Sequence, residues 1–230
     1  MNRKALEASL ALWRRRYRWN QTMRERARRR GDARAARRYG TRLGVAVNVI
    51  NRRKRQLADL ELKALSGAER AIRWANNQVG TVEATGNNDG PKILDWQRWV
   101  AAGGTWLDRA PYCGIGCANA CVRHSTVVAP ERHRWASVAL IEDDARAGRN
   151  GFAGWSDDPK TAKPGDLVVL YGRGVHVELV RDRAERTLST VGFNTSPGIA
   201  GSQSNGGGVW RRTRPFDQVH GIARINYPNR

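Results

Sequence analysis

The sequence is poor in cysteine and contains no long apolar run. Three of its 230 residues are cysteines, so we expect no disulfide framework and interpret the thiols as reduced. No stretch of eighteen apolar residues occurs, which argues against a membrane-spanning helix. Charged side chains interrupt the apolar residues of the N-terminus, so an ordinary secretory signal is not expected. These are Arg14, Arg15, Arg16 and Arg18.

Negative charge is scarce in the first part of the chain. Residues 1–65 contain 20 Lys/Arg and 5 Asp/Glu, whereas residues 66–230 contain 21 and 16, within a formal net charge of +20. The second part therefore has an ordinary globular composition and is long enough for one sizeable core. The basic part favours an anionic partner, which charge alone leaves open: nucleic acid, a phospholipid surface or an anionic wall polymer. A merely solvated basic face is the fourth interpretation.

Apolar residues at helical spacing predict two helices, over 3–30 and 33–64, joined at Gly31-Asp32. Both apolar stripes are narrow and surrounded by arginine, so we expect residues 1–65 to form an antiparallel helical hairpin, a module of its own. The stripes are Leu6, Leu10, Trp13 and Tyr17 in the first helix, and Tyr39, Leu43, Val47, Ile50, Leu57 and Leu60 in the second.

Residues 66–230 predict helices first and strands afterwards, which is typical of an α+β domain with an antiparallel sheet. Most of 124–165 and the Gly/Asn-rich 80–91 are expected to be loop, as is the Gly/Ser/Asn-rich stretch 198–208. The expected helices cover 68–79 with Ser66 as N-cap, then 93–101, 113–123 and 137–147. The expected strands cover 166–171, 175–181, 187–193, 209–212 and 220–226, the first two joined by Gly172-Arg173-Gly174.

Cys113 has the setting of a nucleophile. It follows Tyr112 at the start of the helix of small residues, where free backbone N–H groups and the helix dipole favour the thiolate. Cys117 and Cys121 recur on the same side of that helix, with His124 a turn further. This spacing fits core packing better than the Cys-x-x-Cys pairs of structural zinc sites, so no metal and no other cofactor is expected.

His176 is the candidate base. Alternation along its strand directs Val175, Val177 and Leu179 to the core and turns His176 and Glu178 to the other face. An imidazole pointing out of the core there could meet the helix that begins with the nucleophile. A cysteine that opens a helix and a histidine on a distant strand suggest a papain-like thiol hydrolase. The other histidines, at 124, 133 and 220, lack this strand-after-hairpin setting.

Six short motifs occur in order along residues 71–226, and as an ordered set they make this run similar to a known group. It resembles the CHAP/NlpC-P60 superfamily of peptidoglycan hydrolases, and more closely the endolysins of phages that infect actinobacteria. The motifs are Asn-Gln-Val-Gly-Thr-Val-Glu (77–83), Asn-Asn-Asp-Gly-Pro-Lys-Ile (87–93), Pro-Tyr-Cys-Gly (111–114), Pro-Gly-Asp-Leu-Val-Val-Leu (164–170), Val-His-Val-Glu-Leu-Val (175–180) and Gly-Phe-Asn-Thr-Ser (192–196).

The resemblance implies a papain-like catalytic domain over 66–230, with an antiparallel sheet packed on helices. It implies Cys113 as the nucleophile, His176 as the general base and Asn194 as the residue that orients the imidazole. The Cys113 backbone N–H is a natural oxyanion donor, with Tyr112 a second candidate.

The sequence departs from the family pattern at two positions. Many members carry Glu two residues before the Asn, where this chain has Gly192, and many carry Gly after His-Val, where this chain has Glu178. Because Glu178 shares a strand face with His176, it is an alternative to Asn194 as the orienting residue.

The implied function is hydrolysis of a peptidoglycan amide bond for host lysis, by a protein made in the host cytoplasm that acts on the wall after release. Asn87, Asn88 and Asp89 are candidates for the substrate cleft, with turn chemistry as the alternative. Residues 1–65 would concentrate the enzyme on an anionic wall polymer or membrane surface. Two alternatives remain: a virion-associated wall hydrolase used at entry, and a nucleic-acid-binding protein that acts through the hairpin. The second is disfavoured because 66–230 contain no recognised nucleic-acid-binding motif.

Overall fold

The computed structural model describes residues 2–198, 202 and 206–228. The chain divides into two compact units, Met1–Leu65 and Ser66–Arg230. Within the described residues there are six α-helices and one six-stranded antiparallel sheet, so the expected α+β class is confirmed. Most of the loop expected at 198–208 lies outside the described residues.

The first unit is a hairpin of two long helices, α1 (Arg3–Arg29) and α2 (Ala33–Ala64). Asn2 and Asp32 cap their starts, since each side chain accepts a hydrogen bond from a backbone N–H three residues further on, at 3.0 and 2.8 Å. Two packed helices bury little, and most side chains of this unit meet solvent. The buried ones are Leu6, Leu10, Asn20, Ala27 and Ala46.

The second unit begins with helices close to those expected. Ser66 and Glu69 form a capping box at the start of the first of them. The long helix expected over 113–123 is α-helical in its first half and continues as one π-helical turn over Asn119–Arg123. The helices are α3 (Gly67–Gln78), α4 (Pro91–Val100), α5 (Cys113–Ala118) and α6 (Val138–Arg146).

The sheet has the strand order β1 (Phe152–Ser156), β6 (Val219–Ile225), β2 (Leu167–Leu170), β3 (His176–Arg183), β4 (Thr187–Thr195) and β5 (Gly208–Pro215), and all its pairs are antiparallel. β1 was expected to be loop. It is an edge strand of which only Phe152 is buried, and an irregularity at Gly154 interrupts its pairing, so it carries no clear alternation.

Both faces of the sheet are covered, which corrects two expectations. Val175 was expected in the core, but it precedes β3 in the tight β2–β3 turn and is 43% exposed. His176 was expected to point out of the core, but it is fully buried, as is Glu178. The main cluster includes Val177 and Leu179, and a second cluster includes Val168 and Val180.

Glycine brings α5 close to its neighbours. A Cβ at Gly116 would overlap the ring of Phe193 on β4, and one at Gly114 would overlap the backbone carbonyl of Trp135. Helix α5 therefore needs small residues at these positions to pack this tightly. The close packing brings the start of α5, with Cys113, against the start of β3.

Candidate active site

Cys113 lies at the first residue of α5 and is 5% exposed. Burial on its own would raise the pKa of its thiol, but the proximity and positive charge of His176 outweigh burial, assisted by the backbone N–H groups of Gly114 and Val177. The pKa of Cys113 is therefore lowered, which favours the thiolate.

The two other cysteines of the stripe show what the imidazole contributes. Cys117 and Cys121 are also fully buried, and all three thiols are free. Burial raises the pKa of Cys117 well above its usual value and that of Cys121 to about 12. The Tyr227 hydroxyl donates a hydrogen bond of 3.4 Å to the Cys121 sulfur, which does not reverse the effect of burial. These two cysteines are neutral packing residues, in agreement with their sequence interpretation.

His176 shows the reciprocal perturbation. Burial would lower the pKa of its imidazole, but the contacts with Cys113 and Glu178 raise it to about 9. The Nε2 atom of His176 lies 3.2 Å from Oε1 of Glu178. Nδ1 of His176 is buried and makes no hydrogen bond in the described part of the chain. Because Nε2 faces the carboxylate, Nδ1 is the nitrogen left for proton exchange with the thiol. A thiolate–imidazolium pair is the resting state that these opposite shifts favour.

The structure resolves which candidate contacts the imidazole: it is Glu178. The resemblance put Asn194 before Glu178 as the orienting residue, whereas the contact that the structure describes at Nε2 is with the Glu178 carboxylate on β3 itself. Asn194 is buried in β4 and has a positive φ of 56°. Its backbone N–H acts on the hydroxyl of Tyr112 instead.

Two residues of this site were not expected from the sequence, Arg214 and Thr190. Two nitrogens of the Arg214 guanidinium bind the Glu178 carboxylate. Nε donates to Oε2 at 3.0 Å, and Nη2 donates to Oε1. The Thr190 hydroxyl donates to Oε2 at 2.6 Å. Burial would raise the pKa of Glu178, but His176 and Arg214 lower it to about 2. A charged residue in the apolar run Val-His-Val-Glu-Leu-Val was the available signal, since a buried carboxylate needs a partner.

Gly192 provides the space for this carboxylate. It is the register partner of Glu178 across the β3–β4 pair, and a Cβ at this position would overlap Oε1 of Glu178 and crowd the methyl group of Thr195 at 2.8 Å. The two departures from the family pattern are therefore coupled in space. A glutamate on one strand occupies the room that glycine leaves on the next.

The oxyanion candidates differ in position. The first intrahelical bond of α5 runs from Gly116 N–H to the carbonyl of Tyr112 at 2.8 Å, so the Cys113 N–H precedes the helical ladder. Tyr112 is fully buried, and its pKa is raised by burial and by Glu83. Its buried hydroxyl makes no hydrogen bond in the described part of the chain.

The Asn-Asn-Asp stretch contributes to a turn held by its own hydrogen bonds. Asp89 is buried and accepts hydrogen bonds from Thr85, at 2.8 Å from the backbone N–H and 2.7 Å from the hydroxyl. Asn87 donates to the same hydroxyl at 3.0 Å. The Asn88 N–H donates to Glu83 at 3.0 Å. Since Glu83 acts on Tyr112, this turn supports the residue that precedes the nucleophile.

The remaining histidines are used elsewhere in the second unit. His124 stacks on Trp74 with ring centroids 4.7 Å apart. His220 lies 3.2 Å from the buried Glu142, and His133 is exposed. Among the described side chains, no group of three or more His, Cys, Asp or Glu is arranged to hold a metal ion. In the same part of the chain, none of the helices combines the length and apolarity needed to cross a bilayer.

Comparison with protein-family models, with curated proteins and with solved structures gives no match for this chain. The site therefore has to be interpreted from its own chemistry: a buried thiol, imidazole, carboxylate and guanidinium that alternate in charge.

Proposed function

We propose that the second unit is a cysteine hydrolase of the papain-like kind that cleaves an amide bond in peptidoglycan. One arrangement carries the proposal: the buried Cys113 starts α5, the buried His176 starts β3, and Nε2 of His176 lies 3.2 Å from Oε1 of Glu178. In this arrangement the pKa of Cys113 is lowered while that of His176 is raised to about 9. Burial alone would produce the opposite shifts for both groups. Perturbed, mutually dependent groups of this kind are characteristic of nucleophile–base pairs.

The proposed reaction starts from the thiolate–imidazolium pair. The Cys113 sulfur attacks the amide carbon, and the resulting oxyanion is stabilised by backbone N–H groups at the start of α5. His176 gives its proton to the leaving amine, which departs and leaves a thioester. A water molecule then attacks the thioester while His176 accepts a proton from it, releasing the carboxylic acid and restoring the pair. Glu178 holds the ring through Nε2 during both steps.

The substrate class rests on the resemblance described above and on access to the sulfur. Because Cys113 is 5% exposed, a slender, extended peptide can approach it more readily than a folded protein surface can. The peptide stems of peptidoglycan have this form, and the amide cut is either the bond between sugar and stem or a bond within the stem or crossbridge. Lysis of an actinobacterial host by a phage enzyme is the biological role that fits this activity.

The helical hairpin is proposed to concentrate the enzyme on an anionic wall polymer or membrane surface. In addition to its excess of Lys/Arg, it exposes apolar side chains beside arginine. Trp19 is 53% exposed and Val45 51%, and with Arg16 and Arg42 they line a groove of about 470 Å³. Guanidinium and indole groups together suit phosphate-rich interfaces.

The decisive experiment is a digest of purified actinobacterial cell wall by the full-length protein, analysed by mass spectrometry. We expect new amine and carboxyl ends at one type of amide bond, and none with Cys113→Ala. Cys117→Ala is the matched control, since it removes a buried thiol of the same stripe that the mechanism does not use. Equal loss in both variants, or undigested wall with folded wild-type protein, would refute the hydrolase.

A further inference from the structure

The buried guanidinium of Arg214 contacts both Glu178, next to the proposed catalytic pair, and Tyr171 at the protein surface. Arg214 on β5 is 2% exposed, yet four of the hydrogen bonds around it are described. Two go to the Glu178 carboxylate, one goes from Nη2 to the Thr195 hydroxyl at 3.4 Å, and one goes from Nη1 to the Tyr171 hydroxyl at 2.9 Å. The Tyr171 ring is 39% exposed. The chain of contacts thus reaches from the protein surface to the imidazole.

The backbone at Tyr171 supports a positioning role. Its φ is 64°, in the left-handed region that non-glycine residues rarely adopt. Such a conformation is strained and persists only where surrounding contacts hold it. Here the hydroxyl meets both Arg214 and, at 3.3 Å, the Gln218 side chain. The strained residue is therefore fixed at the outer end of the contact chain.

Charges alternate along the buried row: thiolate, imidazolium, carboxylate, guanidinium. Without the guanidinium, two negative groups, the thiolate and the carboxylate, would share one imidazolium and leave a net negative charge buried. Burial would then drive the carboxyl towards its neutral form. A neutral carboxyl can present its O–H to Nε2 and would no longer fix the proton on that nitrogen. The charged or titratable groups that act on this pair are Cys113 and Cys117 from α5, and Arg212 and Arg214 from β5.

We propose that Arg214, anchored by Tyr171, is a positioning residue that keeps Glu178 ionised and directed at Nε2, and thereby keeps Nδ1 of His176 facing Cys113. It acts through Glu178 and does not touch the reacting atoms. The proposal rests on the proposed function for the use made of the pair, but its test needs no substrate.

The test uses the full-length protein with ¹⁵N-labelled histidine. NMR of the ring nitrogens reports the protonation of His176, and peptide mass spectrometry reports how fast iodoacetamide alkylates Cys113 as a function of pH. The acid limb is the pH range in which the alkylation rate of Cys113 falls as the pH is lowered. In Arg214→Met we expect this limb to move up by roughly 1–3 pH units, because an unpaired buried carboxyl takes up a proton more readily. Arg214→Lys should move it less, since the ammonium keeps the charge and loses the two-pronged contact.

Two further variants keep the test decisive. Tyr171→Phe removes one hydroxyl from a half-exposed ring and should shift the same limb slightly upward even if Arg214→Met does not fold. Arg211→Met removes an exposed arginine of the same strand and should leave both readouts at wild-type values. Superimposable alkylation profiles and unchanged ring signals in Arg214→Lys and Tyr171→Phe would overturn the proposal. If these signals shift but wall is never cleaved, the positioning role stands and the hydrolase proposal fails.

Discussion

The two units of this protein handle charge in opposite ways. In the hairpin, the described ion pairs are the two that Arg3 makes with Glu7 and Glu61, and all three side chains are about half exposed or more. In the second unit, Glu178, Glu142 and Asp144 are at most 3% exposed and each has a cationic partner. The net charge thus shows that the hairpin is basic, but it does not reveal the buried, paired carboxylates of the second unit.

This difference separates two kinds of function. Exposed charges of one sign act at long range, attract counter-charged surfaces and are weakened by salt. Buried, paired charges act at contact distance, fix side-chain geometry and are hardly screened. The charges of the hairpin are therefore available to a counter-charged surface, and the buried charges of the second unit fix side chains within its fold. Each prediction below tests one side of this contrast.

The largest effect is expected for Glu178→Gln. The amide keeps the size of the side chain but removes its charge, so Nε2 loses its ionic partner and Arg214 is left buried without a carboxylate. We expect hydrolysis to fall by about 10²–10⁴-fold and the free energy of unfolding to fall by about 3–5 kcal/mol. Wall-digestion rates and chemical denaturation measure the two quantities.

The chain offers a matched control in Glu142→Gln. Glu142 is also buried and also lies 3.2 Å from a histidine Nε2, that of His220, but it is not part of the candidate site. This variant should lose stability and keep its hydrolytic rate per folded molecule. If Glu142→Gln lowered that rate as much as Glu178→Gln does, the effect would belong to the fold and not to the imidazole.

Gly192→Ala should give the next largest effect. The added methyl group overlaps the Glu178 carboxylate, so either the carboxylate or the strand must shift. A displacement near 1 Å at a catalytic group costs up to about 10²-fold in rate. Gly207→Ala is the control, because a Cβ at that position has no atom within 4 Å. Equal rates for wild type and Gly192→Ala would show that the carboxylate needs no such space.

The pH dependence follows from the directions of the shifts. Hydrolysis should decline as pH rises through about 9, because His176 then lacks the proton for the leaving amine. Glu178 has a folded-state pKa of about 2 against an ordinary 4.5, so its stabilising contribution is present above pH 4.5 and is lost as pH falls towards 2. Unfolding free energies measured between pH 5 and 2 should fall less steeply in Glu178→Gln. Parallel curves for variant and wild type would contradict this assignment.

The sequence predicted the pairing of Cys113 and His176 because each has a local signature: a thiol that opens a helix of small residues, and a histidine on a strand after a tight turn. Local pattern could not predict Arg214. The strand that carries it was expected to end at 212 and extends to 215, and 41 Lys/Arg residues gave no reason to select one of them. Its contact with Glu178 crosses an intervening strand and depends on register, which sequence spacing does not specify.

The sequence could not decide between Asn194 and Glu178 for a related reason. Strand alternation correctly put Glu178 and His176 together, but it could not show that the facing position, Gly192, opens the room for a carboxylate. Burial was also misjudged. Alternation put His176 outside the core, whereas a second apolar cluster lies in the sheet and His176 is fully buried. Charge in that setting has to be paired, and the pairing is what distinguishes this site.

The smallest and most salt-dependent effect is expected from the hairpin. Arg14, Arg15 and Arg18 are exposed, so replacing all three by Gln should change the unfolding free energy by less than about 0.5 kcal/mol per residue. Binding to sedimented cell wall in low salt should weaken several-fold, and the difference from wild type should disappear in 1 M salt, where the Debye length is about 3 Å.

The control for this triple variant is Arg183→Gln, Arg186→Gln and Arg224→Gln, which removes the same charge from exposed positions of the second unit. Wall binding of this control should be nearly unaffected, because the excess positive charge that attracts an anionic wall is concentrated in the hairpin. Equal weakening by both triples would assign binding to overall charge and not to the hairpin. If duplex DNA, but not wall polymer or anionic phospholipid vesicles, displaced the wild-type hairpin from the wall at equal phosphate concentration, nucleic acid would be its partner. The two units would then act on two different ligands, and not in two steps of one function.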